Sequence, residues 1–332
     1  MGYGMPRFTV VTATKSRPDD LRQAIASVVG QRFADFEHLV VDDGSPDDSA
    51  ATVIAEFADP RLRLIRLERS RGPAGARNVA VREAKGELLA ILDDDDLMTA
   101  DRLRLSAASM DASPARVLVA GAFHAIDGDG TVHATVRPPT GEARIRAILP
   151  FHNPFCHSTC TLRTSVFRGL GGFREALRYS HDYDMVLRMA EMGGIEILPE
   201  PLGCYRFHAS NISTRRCFVQ GAYARVAQEC AARRARGQPE EIEALVATID
   251  ATRAEASEGQ ARARVHYQIG EWKFRDGRVR EARRHLRIAV REEPLRPLCV
   301  GLALAAHAPA WMRRALAPLV RPLVALRYPS WR

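Results

Sequence analysis

The sequence predicts an α/β fold: a doubly wound, mostly parallel sheet with helices on both faces, followed by an all-helical C-terminal region. Three observations predict it. Short apolar runs alternate with helix-period segments from residue 7 to about residue 100, the rhythm of strand–helix–strand units. Two acidic clusters, Asp42-Asp43 and Asp93 to Asp96, each close one of those apolar runs. From about residue 218 the alternation gives way to Arg-rich helical patterning.

The elements follow in order. Phe8 to Thr12 is a short apolar strand. Leu21, Ala24, Ile25, Val28 and Val29 fall at i, i+3, i+4, i+7 and i+8, one face of a helix. His38 to Val41 makes the next strand and Ser49 to Phe57 the next helix. Leu62, Leu64 and Leu67 mark a third strand, Ala76 to Ala84 a third helix, and Leu88 to Leu92 a fourth strand. Val117 to Ala122 reads as a strand and Asp127-Gly128-Asp129-Gly130 as a hairpin turn. Residues 137–160, rich in Pro, His and Cys, read as an irregular loop. Gly171-Gly172-Phe173 is a turn, Asp182 to Met192 a helix and Ile195 to Leu198 a closing strand.

Residues 265–294 resemble one tetratricopeptide unit through Tyr267, Gly270, Phe274, Gly277, Ala282, Leu286, Ala289 and Pro294. That pattern is a helix hairpin with small residues at the close crossing, and one such unit must pack on neighbouring helices. Leu298 to Trp311 is apolar, cut by Pro309 and followed by arginines. Such a segment either lies in an anionic membrane interface or packs on the body of the preceding domain. The expected division is a domain over 1–215, in two halves that meet near residue 100, and a helical region over 216–332.

Composition sets the class. Of 332 residues, 46% are hydrophobic and 27% charged, which excludes a mostly disordered chain. No apolar run is long enough to cross a membrane as a helix. Met1 to Arg7 lacks the apolar core of a signal peptide, so the expected place is the cytoplasm, including the inner face of the cell membrane. Arg over Lys and the Ala content suggest a bacterial source. The six cysteines form no CxxC pair. Cys156 and Cys160 with His152 and His157 admit a zinc reading, but reduced, partly buried thiols are the preferred one. Residues 214–332 hold 23 Lys+Arg against 12 Asp+Glu, and residues 1–213 hold 25 against 28. The acidic half suits a metal or sugar-nucleotide site. The basic region suits an anionic membrane surface or a protein partner. No nucleic-acid motif or aromatic platform accompanies it, which argues against nucleic acid.

The two acidic clusters carry the chemistry. Ligands of open α/β sheets bind beyond the carboxyl ends of strands, where both clusters fall. Four adjacent carboxylates repel one another unless solvated or holding a cation. On an extended segment alternate residues share a side, so Asp93 and Asp95 are expected to converge. Hard oxygen ligands suit Mg2+ or Mn2+, which also bind a diphosphate. At Asp42-Asp43-Gly44-Ser45 a carboxylate can accept from a nucleobase or ribose, or cap the helix that follows.

The ordered series resembles the family-2 glycosyltransferases, which have the GT-A fold, over roughly residues 6–215. It runs from Thr9-Val10-Val11-Thr12 through Val40 to Ser45, Arg71-Gly72-Pro73-Ala74-Gly75-Ala76-Arg77-Asn78, Gly86-Glu87 and Leu92 to Asp96. It closes with Gly171-Gly172-Phe173, His181-Asp182-Tyr183-Asp184 and Tyr205-Arg206-Phe207-His208. The resemblance implies that Thr12 and Asp43 contact the nucleotide base, Arg71 helps hold the nucleotide and Asp94 faces the ribose. It implies a metal motif of Asp93 and Asp95, with His208 also assigned to the metal. Arg206 and His208 would close over the diphosphate, and Asp182 matches the family's catalytic base.

The implied activity is inverting transfer of a sugar from a nucleotide-diphospho-sugar to a hydroxyl of a glycan or lipid-linked acceptor. Two departures stand out: Thr14-Lys15 follows the first strand, where the family commonly has an aromatic-Asn pair, and His181 stands where Glu commonly precedes the base. Two other classes remain. One is a catalytically silent scaffold that binds partners through its helical region; the intact Asp93 to Asp96 and Asp182 argue against it. The other is a sugar-1-phosphate nucleotidyltransferase, which would want glycines at Thr14-Lys15-Ser16-Arg17. The absence of a GxGxxG after the first strand disfavours a nicotinamide enzyme.

Overall fold

The computed structural model describes residues 5–249, 255–294 and 297–308. It divides into two compact units: Met1–Phe123, Val136–Tyr205 and Ala222–Ile249 in one, and His124–Thr135, Arg206–Gly221 and Asp250–Arg332 in the other. The units do not part at the expected position near residue 215.

The first unit opens with β1 (Phe8–Thr14), α1 (Pro18–Val29), β2 (Phe36–Asp42), α2 (Ser49–Phe57), β3 (Leu62–Arg66), α3 (Gly72–Glu83) and β4 (Leu88–Ile91). Pro18 starts α1, with Asp19 and Asp20 in its first turn; both choices suit a helix N-terminus. Leu21, Ala24, Ile25 and Val28 are its buried face, as their spacing predicts. Leu21 and Ile25 pack with Val40, Ala50 and Val53. Ala24 and Val28 join a second cluster with Phe8, Val10, Leu88 and Ala90. α3 begins a turn earlier than predicted, with its proline in the first turn.

Next come β5 (Leu97–Met98), α4 (Arg102–Ala112), β6 (Arg116–Ile126), β7 (Val132–Val136), α5 (Glu142–Ile148), β8 (Thr161–Arg163), α6 (Thr164–Gly169), α7 (His181–Met192) and β9 (Gly194–Arg206). The strand order is β3-β2-β1-β4-β8-β6-β9-β5. β1 runs parallel to β2 and β4, and β2 parallel to β3. β8 is antiparallel to β4 and β6, and β5 antiparallel to β9. The sheet is therefore mixed: its parallel half ends where the helical crossovers end, since parallel neighbours need them. The 137–160 segment is more regular than expected. It contains α5, whose Ile145 is buried and whose Glu142 pairs with Arg146, and a 3-10 turn at His157–Thr159.

α8 (Ile212–Arg215), α9 (Cys217–Ala235), α10 (Ile242–Ala247), α11 (Glu258–Arg275), α12 (Val279–Glu292) and α13 (Pro297–His307) complete the chain. Most of α9 belongs to the first unit. Its Tyr223 meets Tyr179 edge-on at 5.3 Å, its Gln228 donates to the Tyr183 hydroxyl at 3.1 Å, and its Arg234 pairs with Glu191 at 2.7 Å. Those contacts explain the shifted boundary.

In the second unit α11 and α12 form the helix hairpin expected over 265–294. Tyr267, Ala282, Leu286 and Ala289 share a core with Cys299, Leu302 and Ala306 of α13, the neighbour such a hairpin needs. A Cβ on Gly270 would lie 2.7 Å from Leu286 Cγ, so the crossing requires a glycine. A capping box of Ser257 and Gln260 starts α11. The arginine-bearing part of the segment expected from Leu298 onward, past residue 308, lies outside the described residues.

Candidate active site

Of the sequence-predicted residues, Asp43 and Asp93 to Asp95 stand just past the carboxyl ends of β2 and β4, the strands that flank β1. Parallel register sets Thr14 beside Asp42, and β4 leads straight into Asp93 to Asp96.

Asp42 and Asp43 build the rim. Asp42 Oδ1 accepts from the Ser45 backbone N–H at 3.0 Å and the Ser45 hydroxyl at 2.5 Å, closing an Asx turn. Asp43 accepts from the Ser70 hydroxyl (2.7 Å) and from the backbone N–H groups of Arg71 (2.7 Å) and Gly72 (3.0 Å). Its carboxylate satisfies the open donors at the start of α3, where negative charge is favoured. Gly44, at φ +71°, makes the approach possible, because a Cβ there would stand 2.8 Å from the Ser70 nitrogen. Arg71, on the same loop, reaches Glu175 at 3.0 Å and is half-exposed.

Thr12 does not reach the rim. It is fully buried in β1, its hydroxyl 3.0 Å from His38 Nε2. Two residues on, on the same side of the strand, Thr14 donates to Asp94 Oδ2 at 2.7 Å.

The four aspartates do not run on as an extended strand. Asp94 and Asp95 occupy a turn, closed by the Asp96 N–H on the Asp93 carbonyl at 3.2 Å. Strand alternation, on which the expected pairing of Asp93 with Asp95 rests, therefore does not carry through the run. Instead Asp94 and Asp95 converge: Arg17 Nη1 lies 3.2 Å from Asp94 Oδ1 and 3.0 Å from Asp95 Oδ2. Burial and the Asp95 charge push the Asp94 carboxyl up to about 6, against the pull of Arg17. Arg102, wholly buried, donates to the Ile91 carbonyl at 2.7 Å and the Cys160 carbonyl at 3.0 Å, pinning the strand end that bears the turn.

Asp93 belongs to a second neighbourhood. Its carboxylate pairs with Arg77, and its N–H donates to Ser158 Oγ at 3.2 Å. Burial would raise the Asp93 carboxyl, but Arg77 and the nearby His157 and His181 outweigh it and hold it below the usual range. Arg77 Nη1 also stands 3.3 Å from His181 Nε2, and His157, His181 and Phe173 meet edge-on. Burial pushes His157 down to about 4, and burial with Arg77 pushes His181 well below its usual value. Both imidazoles are therefore neutral near pH 7.

Asp182 sits in the first turn of α7, half-buried, with Asn153 Nδ2 3.4 Å from its Oδ2. Burial pushes its carboxyl up to about 6, and the Asp93 charge adds to the rise. A carboxylate of that kind can take a proton near neutral pH.

Arg206 and His208 belong to the second unit. Arg206 is buried, and its Nη1 donates to the Asp127 and Gly128 carbonyls at 3.2 and 2.7 Å, holding the β6–β7 turn. His208 Nδ1 lies 2.6 Å from the Ser210 hydroxyl. Among the described residues no three His, Cys, Asp or Glu side chains are placed to hold a metal ion, and this includes the Cys156/Cys160 region. The six cysteines carry no disulfide.

Sequence reasoning missed Thr14, Arg17, Arg77 and Arg102. Thr14 was legible as the outer partner of Thr12 at strand period two. Arg77 was legible as a lone charge in the small-residue run Ala74-Gly75-Ala76. Arg17 and Arg102 left no signal, because only folding brings them to the aspartates.

The sequence model of the family described as Glycosyl transferase family 2 matches residues 9–171. The succinoglycan biosynthesis protein ExoO of Rhizobium meliloti is 42% identical over 115 residues, 35% of this chain and 33% of the relative. The UDP-Glc:alpha-D-GlcNAc-diphosphoundecaprenol beta-1,3-glucosyltransferase WfgD of Escherichia coli is 35% identical over 102 residues, 31% of this chain and 40% of the relative. The chain thus spans well under half the length of these relatives. Among solved structures, Staphylococcus aureus TarS 1–349 shares the fold at a TM-score of 0.55 and 17% identity, over 90% of this chain and 84% of that one. The mannosyltransferase PcManGT of Pyrobaculum calidifontis, solved with GDP-Man and Mn2+, matches at 0.54 and 20%, over 97% and 87%. The family match spans β1 to the Gly171 turn and takes in both acidic clusters, so the chain carries a family-2 glycosyl transferase domain over residues 9–171.

Proposed function

We propose that the chain is an inverting glycosyltransferase that moves a sugar from a nucleotide-diphospho-sugar to an acceptor hydroxyl. The carrying observation is the pair of carboxylate neighbourhoods at the strand ends, one converging on a cation and one holding a proton acceptor near neutral pH. The relatives' names, succinoglycan biosynthesis and a diphosphoundecaprenol-linked acceptor, support a role in bacterial surface polysaccharide or glycolipid synthesis.

Asp94 and Asp95 present hard oxygens toward one cationic position, which fits Mg2+ or Mn2+ completed by substrate phosphates. Such an ion would offset charge on the leaving diphosphate. Asp43 holds the Ser70–Gly72 loop, and through it Arg71, against the nucleotide. Thr14 orients Asp94 through the hydrogen bond to its Oδ2. Asp182 accepts the proton of the attacking hydroxyl; attack opposite the leaving group inverts the anomeric centre. Asp182→Asn tests the reading: transfer is lost while nucleotide binding and the fold persist. Retained transfer would remove the base assignment.

The acceptor's carrier is assigned to an anionic membrane surface. Arg280, Arg284, Arg287 and Arg291 follow one exposed face of α12, at i, i+4, i+7 and i+11. Each arginine near such a surface contributes about 1 kcal/mol. The protein should float with anionic vesicles and not with neutral ones, and changing all four to Gln should abolish flotation. Flotation that survives the change would move the contact elsewhere.

A further inference from the structure

We infer that Arg17 is a built-in counter-ion of the Asp94–Asp95 pair, and that it leaves this position when a nucleotide diphosphate brings a divalent cation in. The inference rests on the function proposed above and concerns how that site is kept and opened. A single guanidinium nitrogen, Nη1, bridges the two carboxylates at 3.2 and 3.0 Å. Mg2+ binds carboxylate oxygens at about 2.0–2.1 Å. A cation on those same two oxygens would fall in the space that Nη1 takes, so the two positive groups exclude one another.

The surroundings favour exchange over permanent pairing. The Arg17 side chain is 41% exposed, whereas Arg77, beside Asp93, is 6% exposed. The backbone is held at the preceding residue: Ser16, at φ +53°, donates its N–H to Ser45 Oγ at 2.9 Å. The long Arg17 stem can therefore swing while its anchor stays. Nor does the protein offer a full ligand shell, since no three candidate ligands converge among the described residues. Water and phosphates would supply the remaining oxygens, so a diphosphate strengthens the hold on the ion. The displaced guanidinium then faces a phosphate, the anion its planar fork matches best.

The test uses the full chain and Mn2+ alone, with bound ion read from the loss of the free Mn2+ spin-resonance signal. Wild type should bind Mn2+ weakly. Arg17→Gln should bind it about tenfold more tightly, the effect of removing one nearby positive charge discounted for exposure. Asp95→Asn in the Arg17→Gln background should erase the gain. Arg17→Lys, which keeps the charge, should stay near wild type. Thermal shifts with UDP, GDP, dTDP and CMP, each with and without Mn2+, run in parallel. If Arg17→Gln binds Mn2+ no better than wild type while a nucleotide still gives wild type a Mn2+-dependent shift, the counter-ion inference fails and the transferase reading stands. If none of the four nucleotides shifts wild type with or without Mn2+, the transferase reading fails and takes the inference with it.

Discussion

Asp93 and Asp94 are chain neighbours of identical chemistry, yet the fold shifts them in opposite directions. Asp93 is held below the usual carboxylate range by Arg77, while Asp94 is raised to about 6 by burial and by Asp95. The turn at Asp94-Asp95 causes the split. It sends one carboxylate toward Arg77, His181 and the Asp182 side, and two toward Arg17. One run of aspartates thus serves two neighbourhoods, one paired with a buried arginine and one with a half-exposed arginine. What each carboxylate can do is set by its cationic neighbour and that neighbour's exposure, more than by its place in the run.

The comparison breaks most directly at Asp182. Asp182→Asn should lower kcat by about 10^3, within the usual range for a positioned general base, with an unchanged melting temperature. A loss of less than tenfold would separate Asp182 from the chemistry. Next come the two arginines. Arg77→Gln leaves a part-buried Asp93 without its partner and should cost about 2 kcal/mol in urea unfolding. Arg17→Gln breaks a half-exposed pair and should cost under about 1 kcal/mol. Equal costs would erase the distinction between the two neighbourhoods.

The pH profile sharpens the contrast further. Asp182 must be ionised to accept a proton, and its raised value near 6 means that it protonates below that pH. Activity should therefore fall about tenfold per pH unit below 6 and level off above it. The smallest expected effect is a shift of that limb. Asp93→Asn removes a charge that raises Asp182, so the limb should move to lower pH. Movement to higher pH would contradict the electrostatic link between the two residues.

Much of the first unit was legible in the sequence because its signals are local. The α1 face, the strand ends and the carboxylate clusters all show as period and punctuation. The site's internal wiring was not legible. Strand logic does not extend through Asp93 to Asp96, where Arg17, Arg77 and the Ser158 hydroxyl, all distant in sequence, hold the turn. Thr12 looked like a rim residue, but His38 from β2 claims its hydroxyl and leaves Thr14 at the rim. Tertiary contact also moved the unit boundary, since Tyr179, Tyr183 and Glu191 draw α9 into the first unit. α5 was hidden because Pro and His flank only two turns of helix.

The central claim is that the strand-end carboxylates hold a nucleotide diphosphate together with a divalent ion. Thermal unfolding with UDP, GDP, dTDP and CMP, each with Mn2+ and again with EDTA, tests it most directly, because a ligand that binds only the folded chain raises its stability. The account predicts that one diphosphate raises the melting temperature with Mn2+, and that EDTA or Asp95→Asn removes the shift. No shift with any nucleotide would contradict it and favour a silent scaffold that works through its helices.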